Sequence, residues 1–288
     1  MRPSRPAVAG RTVVVALLIA WSLGPVAIGV LTSLSTQPEV AAVPARWVPA
    51  DPSLDSYSAL LGGKGGGGGA AAQTASDASA FPQALLNTAL LTVVSTLVIL
   101  VIAVLAGYGF SRLTFRGSTP LLWIVLATLT IPLFTLVVAL YRLMADLNLI
   151  DTFLGLTLVF VSTLAPLAIW LVYNHCRELP PEPEEAALID GCTRWQAFRR
   201  VVLPQMRSSI AALTAIIMLE VWGQFLIPLL LSSTSETKPV TVVITEFIGK
   251  STTNYPLLTA AGVLAMIPPA IVALGLNRHI RGMLSVGG

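Results

Sequence analysis

The sequence predicts an all-α, polytopic membrane protein with six transmembrane helices, and three observations carry that reading. Hydrophobic residues make up 55% and charged residues 11% of the 288-residue chain, and its mean hydropathy is +0.81, a balance foreign to ordinary soluble domains. Six apolar runs each reach the roughly 20 residues that a helix needs to cross about 30 Å of hydrocarbon. The charged residues gather between these runs and at their ends. A formal net charge of +3 and a pI near 9.1 do not indicate a nucleic-acid partner, because the basic residues form no stripe. They suit a lipid bilayer and its headgroups.

The N-terminal segment, 1–11, carries Arg2, Arg5 and Arg11, and the first span follows at 12–34. That run is too long for a cleaved signal peptide, whose apolar core is about 7–15 residues. Residues 35–83 form an external loop, rich in turn formers at Pro38, Pro44, Pro49 and Pro52. It holds a flexible Gly-rich insert at 62–69. Gly63-Lys64 is not a phosphate-binding loop, since Ser58 stands where that motif needs glycine and Gly65 where it needs Ser or Thr.

The other five spans fall within 84–276. The second covers 84–110 and ends in Gly107-Tyr108-Gly109-Phe110-Ser111-Arg112, with Arg116 and Gly117 just beyond. The third covers 120–140 with Pro132 inside it, a residue that membrane helices tolerate where neighbours re-satisfy the freed carbonyl. A loop with Asp146, Asn148 and Asp151 leads to the fourth span, 153–173. The fifth is 209–231, the sixth is 257–276, and a C-terminal segment, 277–288, carries Arg278, His279 and Arg281.

Six spans put both termini on one side. Twelve of the seventeen Lys and Arg residues lie at the termini, in the Arg112 turn and in the loop 174–207, while Arg46, Lys64, Arg142, Lys238 and Lys250 lie on the opposite face. The positive-inside rule therefore predicts cytoplasmic termini and a cytoplasmic 174–207 loop. Cys176 and Cys192 match neither a disulfide framework nor a repeated metal-ligand spacing, and are expected as reduced thiols.

The loop 174–207 is the informative stretch. Pro180, Pro181 and Pro183 beside Glu184 and Glu185 suit a helix start, where proline's missing N–H costs little and carboxylates meet the positive end of the dipole. Gly191 ends that short helix. Thr193 and Gln196 fit a capping box for a second one, with Trp195, Phe198, Val201 and Val202 along one apolar stripe, and Pro204 turns the chain back toward the membrane. Two such helices, small at Ala186 and Ala187 and acidic at Glu184, Glu185 and Asp190, make either a knob that enters a partner's groove or a hairpin on the lipid surface. Spacing does not choose between them.

Glu185-Ala186-Ala187, then Gly191, then Val201-Val202-Leu203-Pro204 resembles the EAA loop of bacterial ABC importer permeases, with Val201 where Ile is usual. The longer string Leu179-Pro180 followed by Glu184-Glu185-Ala186-Ala187-Leu188-Ile189-Asp190-Gly191 resembles the carbohydrate branch, the maltose-type second permease subunit (MalG-like). Tyr108-Gly109-Phe110-Ser111-Arg112 with Phe115-Arg116-Gly117, Asp151-Thr152 with Gly155-Leu156, and Trp222 with Phe225-Leu226 and Pro228-Leu229-Leu230 extend the similarity along nearly the whole chain.

The resemblance implies a type I ABC importer permease fold in a bacterial inner membrane, and a non-catalytic subunit that takes up a carbohydrate or related solute. It implies four kinds of partner: the bilayer, a second homologous permease, two ATPase subunits and an extracytoplasmic solute-binding protein. ATP and Mg would sit on the ATPase subunits, with no cofactor on this chain. Glu184, Glu185, Ala186, Ala187, Asp190, Gly191, Trp195, Phe198, Leu203 and Pro204 are then the ATPase-coupling residues.

Glu220 is the one acidic residue well inside a predicted span. A charge there costs roughly 2.5–3.5 kcal/mol unless it meets a cavity or a partner, so Glu220 is expected to face the bundle interior. With Trp222 and Gln224 it is a candidate for the solute pathway or for a bond to the partner permease. The family pattern has Asn-Glu where this chain has Gly223-Gln224. Ion-coupled secondary transport through Glu220 is the alternative function, although such carriers place charges at mid-membrane in several helices. His175 and His279 are expected as helix-end or headgroup partners. Asn87, Tyr141 and Asn254 are candidates for the external mouth, and Asp146 and Asp151 are expected to be solvated, with contact to the binding protein as the alternative.

Overall fold

The computed structural model describes residues 5–44, 46–62, 78–113, 115–248 and 253–284, and side chains within 11–275 of these. Lys64, the Gly-rich insert from Gly63 onward and Lys250 lie outside the described residues, as do the side chains of Arg2, Arg5, Arg278, His279 and Arg281. Regular structure among the described residues is helical, apart from one isolated bridge between Ile248 and Thr253. The chain divides into two compact units, residues 1–83 with 243–267 and residues 84–242 with 268–288.

In the first unit, α1 (Arg5–Ser33) bares its apolar side chains from Val13 to Ile28. Trp21, for example, is 84% exposed, as a lipid-facing helix requires. The predicted external loop contains two short helices, α2 (Gln37–Val40) and α3 (Asp55–Leu60). Thr36 caps α2 by donating its amide and hydroxyl to the Glu39 carboxylate at 3.0 and 3.1 Å. Gln37 donates to the Thr253 carbonyl at 2.9 Å and accepts from the Tyr255 amide at 3.1 Å, which ties the loop to the start of the last helix.

The second unit begins in α4 (Phe81–Arg112). The predicted third span is not one helix. α5 (Ser118–Ala127) passes through a 3-10 turn at Thr128–Thr130, and α6 (Leu133–Asp146) leaves it at 101°. Pro132 is the cause: its ring excludes Ile131 from the helical region, and Ile131 takes φ −82°, ψ 119°. α7 (Phe153–Glu178) is the central helix of this unit, with Leu156, Phe160, Ala168, Val172 and Cys176 all buried. It packs most extensively on the later helix 207–222, and α4 approaches it closely at Gly107, where a Cβ would lie 2.5 Å from Val172 Cγ1. Small residues allow such backbone approach between membrane helices.

Beyond α7 come α8 (Glu182–Ile189), α9 (Arg194–Ala197), a π-type turn (Phe198–Val202) and α10 (Leu203–Gln205). The predicted fifth span is also broken. α11 (Arg207–Trp222) stops at Gly223, and α12 (Leu226–Leu231) begins anew. α13 (Val240–Glu246) and α14 (Tyr255–Leu284) complete the chain, so α14 continues past the predicted span end at 276. Among the described residues four helices are long and apolar enough to cross a membrane, and six spans result if each bent pair, 118–146 and 194–222, counts as one.

Candidate functional site

The site is the α8–α9 knob and the helix ends beneath it. α8 starts as its prolines dictate, with Pro181 at the cap position, Pro183 in the first turn and Glu182, Glu184 and Glu185 at the positive end of the dipole. Gly191 ends it at φ +88°. The Gly191 amide donates to the Leu188 carbonyl at 3.1 Å and the Cys192 amide to the Ala187 carbonyl at 3.0 Å, the two reverse bonds of a Schellman stop. Thr193 and Gln196 form the expected capping box, with bonds of 2.8 and 3.3 Å. Before Pro204 the helix widens into the π-type turn, where the proline's missing amide leaves the regular ladder incomplete.

Adjacent carboxylates point in different directions, because one residue turns a helix by about 100°. Glu185 is exposed, whereas Glu184 keeps only 6% of its surface. The Tyr108 hydroxyl donates to Glu184 Oε1 at 2.6 Å. The Arg112 Nε lies 3.4 Å from Glu184 Oε2, and its Nη2 donates to the Leu179 carbonyl at 2.7 Å. The Tyr108 ring packs on Phe198 with centroids 4.6 Å apart, and Cys176 Sγ lies 3.4 Å from Met206 Sδ. The expectation that Glu184 offers its carboxylate outward is thereby corrected: it faces the end of α4.

The predicted apolar stripe divides as well. Phe198 and Val202 are buried and Val201 is half-buried, while Trp195 is 60% exposed and stacks at a tilt on Phe198 with ring centroids 5.3 Å apart. Leu203 is half-buried and Pro204 exposed. The outward face therefore carries Glu185, Ala186, Asp190, Gly191 and Trp195. It also carries Ile189, 86% exposed, which sequence reasoning missed. Its i, i+4 spacing from Glu185 was the available signal, since it places both on one face.

The remaining candidates do not converge. Glu220 is exposed in the last turn of α11, so this chain's own helices do not enclose it. Trp222 and Gln224 are half-buried, and the Gln224 carbonyl accepts from the Thr241 hydroxyl at 2.8 Å. His175 lies in the last turn of α7, as the helix-end reading expects, with its Nε2 2.8 Å from the Ser209 hydroxyl and its Nδ1 3.8 Å from Glu178. Asn87 is buried and donates to the Ser235 and Lys238 carbonyls at 3.0 Å each. Asn254 accepts from the Leu257 amide at 3.1 Å.

Asp151 is a structural anchor as opposed to a free solvated charge. It holds φ +57° and accepts from the Ser233 amide at 2.9 Å, the Thr234 amide at 3.1 Å and the Thr237 hydroxyl. Burial pushes its carboxyl up, but the Thr237 hydroxyl and those amides outweigh it and bring it down to about 2. Among the described residues no three His, Cys, Asp or Glu side chains gather to hold a metal ion.

Residues 99–283 match the protein family described as "Binding-protein-dependent transport system inner membrane component". Over 209 residues the chain is 34% identical to the osmoprotective compounds uptake permease protein GgtD of Synechocystis sp., covering 72% of this chain and 70% of that one. It is 28% identical to the sulfoquinovosyl glycerol transport system permease protein SmoH of Agrobacterium fabrum, over 96% of this chain and 92% of that one. In fold it is similar to a chain of a bacterial ABC transporter involved in the import of the acidic polysaccharide alginate, with a TM-score of 0.79, 20% identity, and 96% and 98% of the two chains covered.

Proposed function

The chain belongs to the family of binding-protein-dependent transport system inner membrane components, the permease subunits of ABC importers, and on that premise we propose that it helps form the pathway for a carbohydrate or related solute and is driven through the α8–α9 knob. The ATPase is a separate partner in this family. In this reading it docks on Glu185, Ala186, Ile189, Asp190 and Trp195.

The observation that carries the docking surface is Ile189, held bare at 86% exposure at the end of α8, which the Gly191 turn stops, with Trp195 bare nearby. Exposed anchors of this kind mark contact sites, and aromatic anchors dominate their energetics. Glu185 and Asp190 flank Ile189 and suit a groove rimmed by basic side chains, whereas anionic lipid headgroups would repel them. That favours docking over a hairpin on the membrane. Buried Glu184 and Phe198 support the knob from beneath.

The solute class follows from the relatives, whose names specify sulfoquinovosyl glycerol and, for the SugB permease of Mycobacterium tuberculosis, trehalose. The full complex in this proposal holds a second homologous permease, two ATPase subunits with ATP and Mg, and an external solute-binding protein, with the knob and both termini in the cytoplasm. Exposed Glu220 then meets the second permease. Ion coupling through Glu220 has no support: the family works with an ATPase, and no His, Cys, Asp or Glu cluster gathers at the residue among those described.

The test is affinity purification of the tagged full chain from native membranes. Ile189→Asp and Glu185→Lys should each lower the ATPase activity that co-purifies by roughly 30-fold, the loss expected for an interface hot spot. Undiminished ATPase recovery with both variants would refute the assignment of this face.

A further inference from the structure

Glu184 belongs to the acidic pair Glu184-Glu185 by sequence, yet it takes no part in the exposed face. Its two carboxylate oxygens are both directed at one helix end, with the Tyr108 hydroxyl on Oε1 at 2.6 Å and the Arg112 guanidinium 3.4 Å from Oε2. Arg112 also grips the Leu179 carbonyl at 2.7 Å, which is where α7 gives way to α8. One charged cluster therefore joins α4, the end of α7 and the first turn of α8.

We propose that Tyr108, Arg112 and Glu184 form a latch that makes α8 and α4 move as one body, so that Glu184 is a positioning residue that carries motion of the knob into a membrane-spanning helix. This rests on the docking of the ATPase at α8, and it assigns to Glu184 a role distinct from that docking. Three features support it. The Tyr108 hydroxyl bond and the Arg112 ion pair both meet the carboxylate of a side chain that keeps only 6% of its surface, where charge-assisted interactions are stronger than neutral ones. The latch adds a charged tie to α4 where α8 otherwise follows α7 through the Leu179–Pro181 stretch and rests on the Phe198–Val202 turn, and a lever with a firmer root transmits more. α4 is in turn pressed against α7 at Gly107, so a displacement received at Arg112 cannot be absorbed by sliding apart there. Arg112 Nε has no hydrogen-bond partner of good geometry in this arrangement. Its contact with Glu184 Oε2 at 3.4 Å is therefore an ion pair and not a hydrogen bond.

The experiment uses the full chain with its co-purified ATPase in lipid nanodiscs, in a Cys192→Ser background. Spin labels go on Glu182→Cys at the start of α8 and Val101→Cys on the exposed face of α4. With the latch intact, the label separation should stay the same, within about 1 Å, between the nucleotide-free and ATP–vanadate states. In a Tyr108→Phe, Glu184→Gln variant, which preserves ring packing and side-chain volume, the two states should differ by about 2 Å or more, the scale of helix shifts in switching proteins. Equal separations in that variant would overturn the latch, and so would separations that already differ with the latch intact. Loss of the ATPase from the variant alone would assign the cluster to assembly and also overturn it. A chain with native Glu184 that retains no ATPase would instead remove the docking reading, and the latch with it.

Discussion

Glu184 and Glu185 are neighbours in the chain and opposites in environment, one closed in by Tyr108 and Arg112 and the other bare. Sequence reasoning treated them as a pair because composition and spacing identify a helix, and cannot tell which side of it the remainder of the chain will cover. Asp151 was misjudged for the same reason: its partners at 233, 234 and 237 are about eighty residues away. Those partners make a prediction. Asp151 has a folded-state pKa of about 2, below its ordinary 3.8, so its contribution to stability is complete above about pH 4 and is lost as the pH falls through that interval. Thermal denaturation of Asp151→Asn should therefore lack the part of the acid-induced loss that the native chain shows between about pH 4 and pH 2. Identical slopes for the two proteins would rule the anchor out.

At the scale of elements, the caps were readable and the bends were not. Thr193 with Gln196 and Gly191 after Asp190 are local chemistry within a few residues, and the structure contains them as expected. Pro132 was read as tolerated within a continuous span, yet it divides α5 from α6 by 101°. Whether a proline kinks a helix slightly or breaks it depends on whether neighbours take up the freed backbone groups, which is a tertiary matter. Gly107 is similar: nothing in its surroundings in the chain announces that Val172 lies where its Cβ would be. Gly107→Leu should force α4 away from α7 and destabilise the second unit by about 1–3 kcal/mol, the usual cost of overpacking. A lowered denaturation temperature in detergent would register it, and Gly109→Leu, with open space around its Cβ position, is the control expected to change little.

For the whole molecule, the distribution of arginines predicts which end faces the cytoplasm, and the latch and the knob both lie at the Arg112 end. Impermeant thiol labelling of intact cells tests this directly. In a Cys192→Ser background, a cysteine replacing exposed Glu236 should react from outside and one replacing exposed Glu185 only after permeabilisation. The reverse pattern would invert the topology and detach the knob from any cytoplasmic ATPase.

By itself the sequence determined the membrane class, the order of the spans, the caps of the knob and the family, because hydrophobic length, capping chemistry and short motifs all act over a few residues. Only the tertiary structure decided which carboxylate is locked and which is offered, where two spans break, and that Ile189 stands exposed beside Glu185. Those outcomes depend on which distant side chains occupy the space around a residue. A helix has several faces, and its own sequence does not say what will be packed against each.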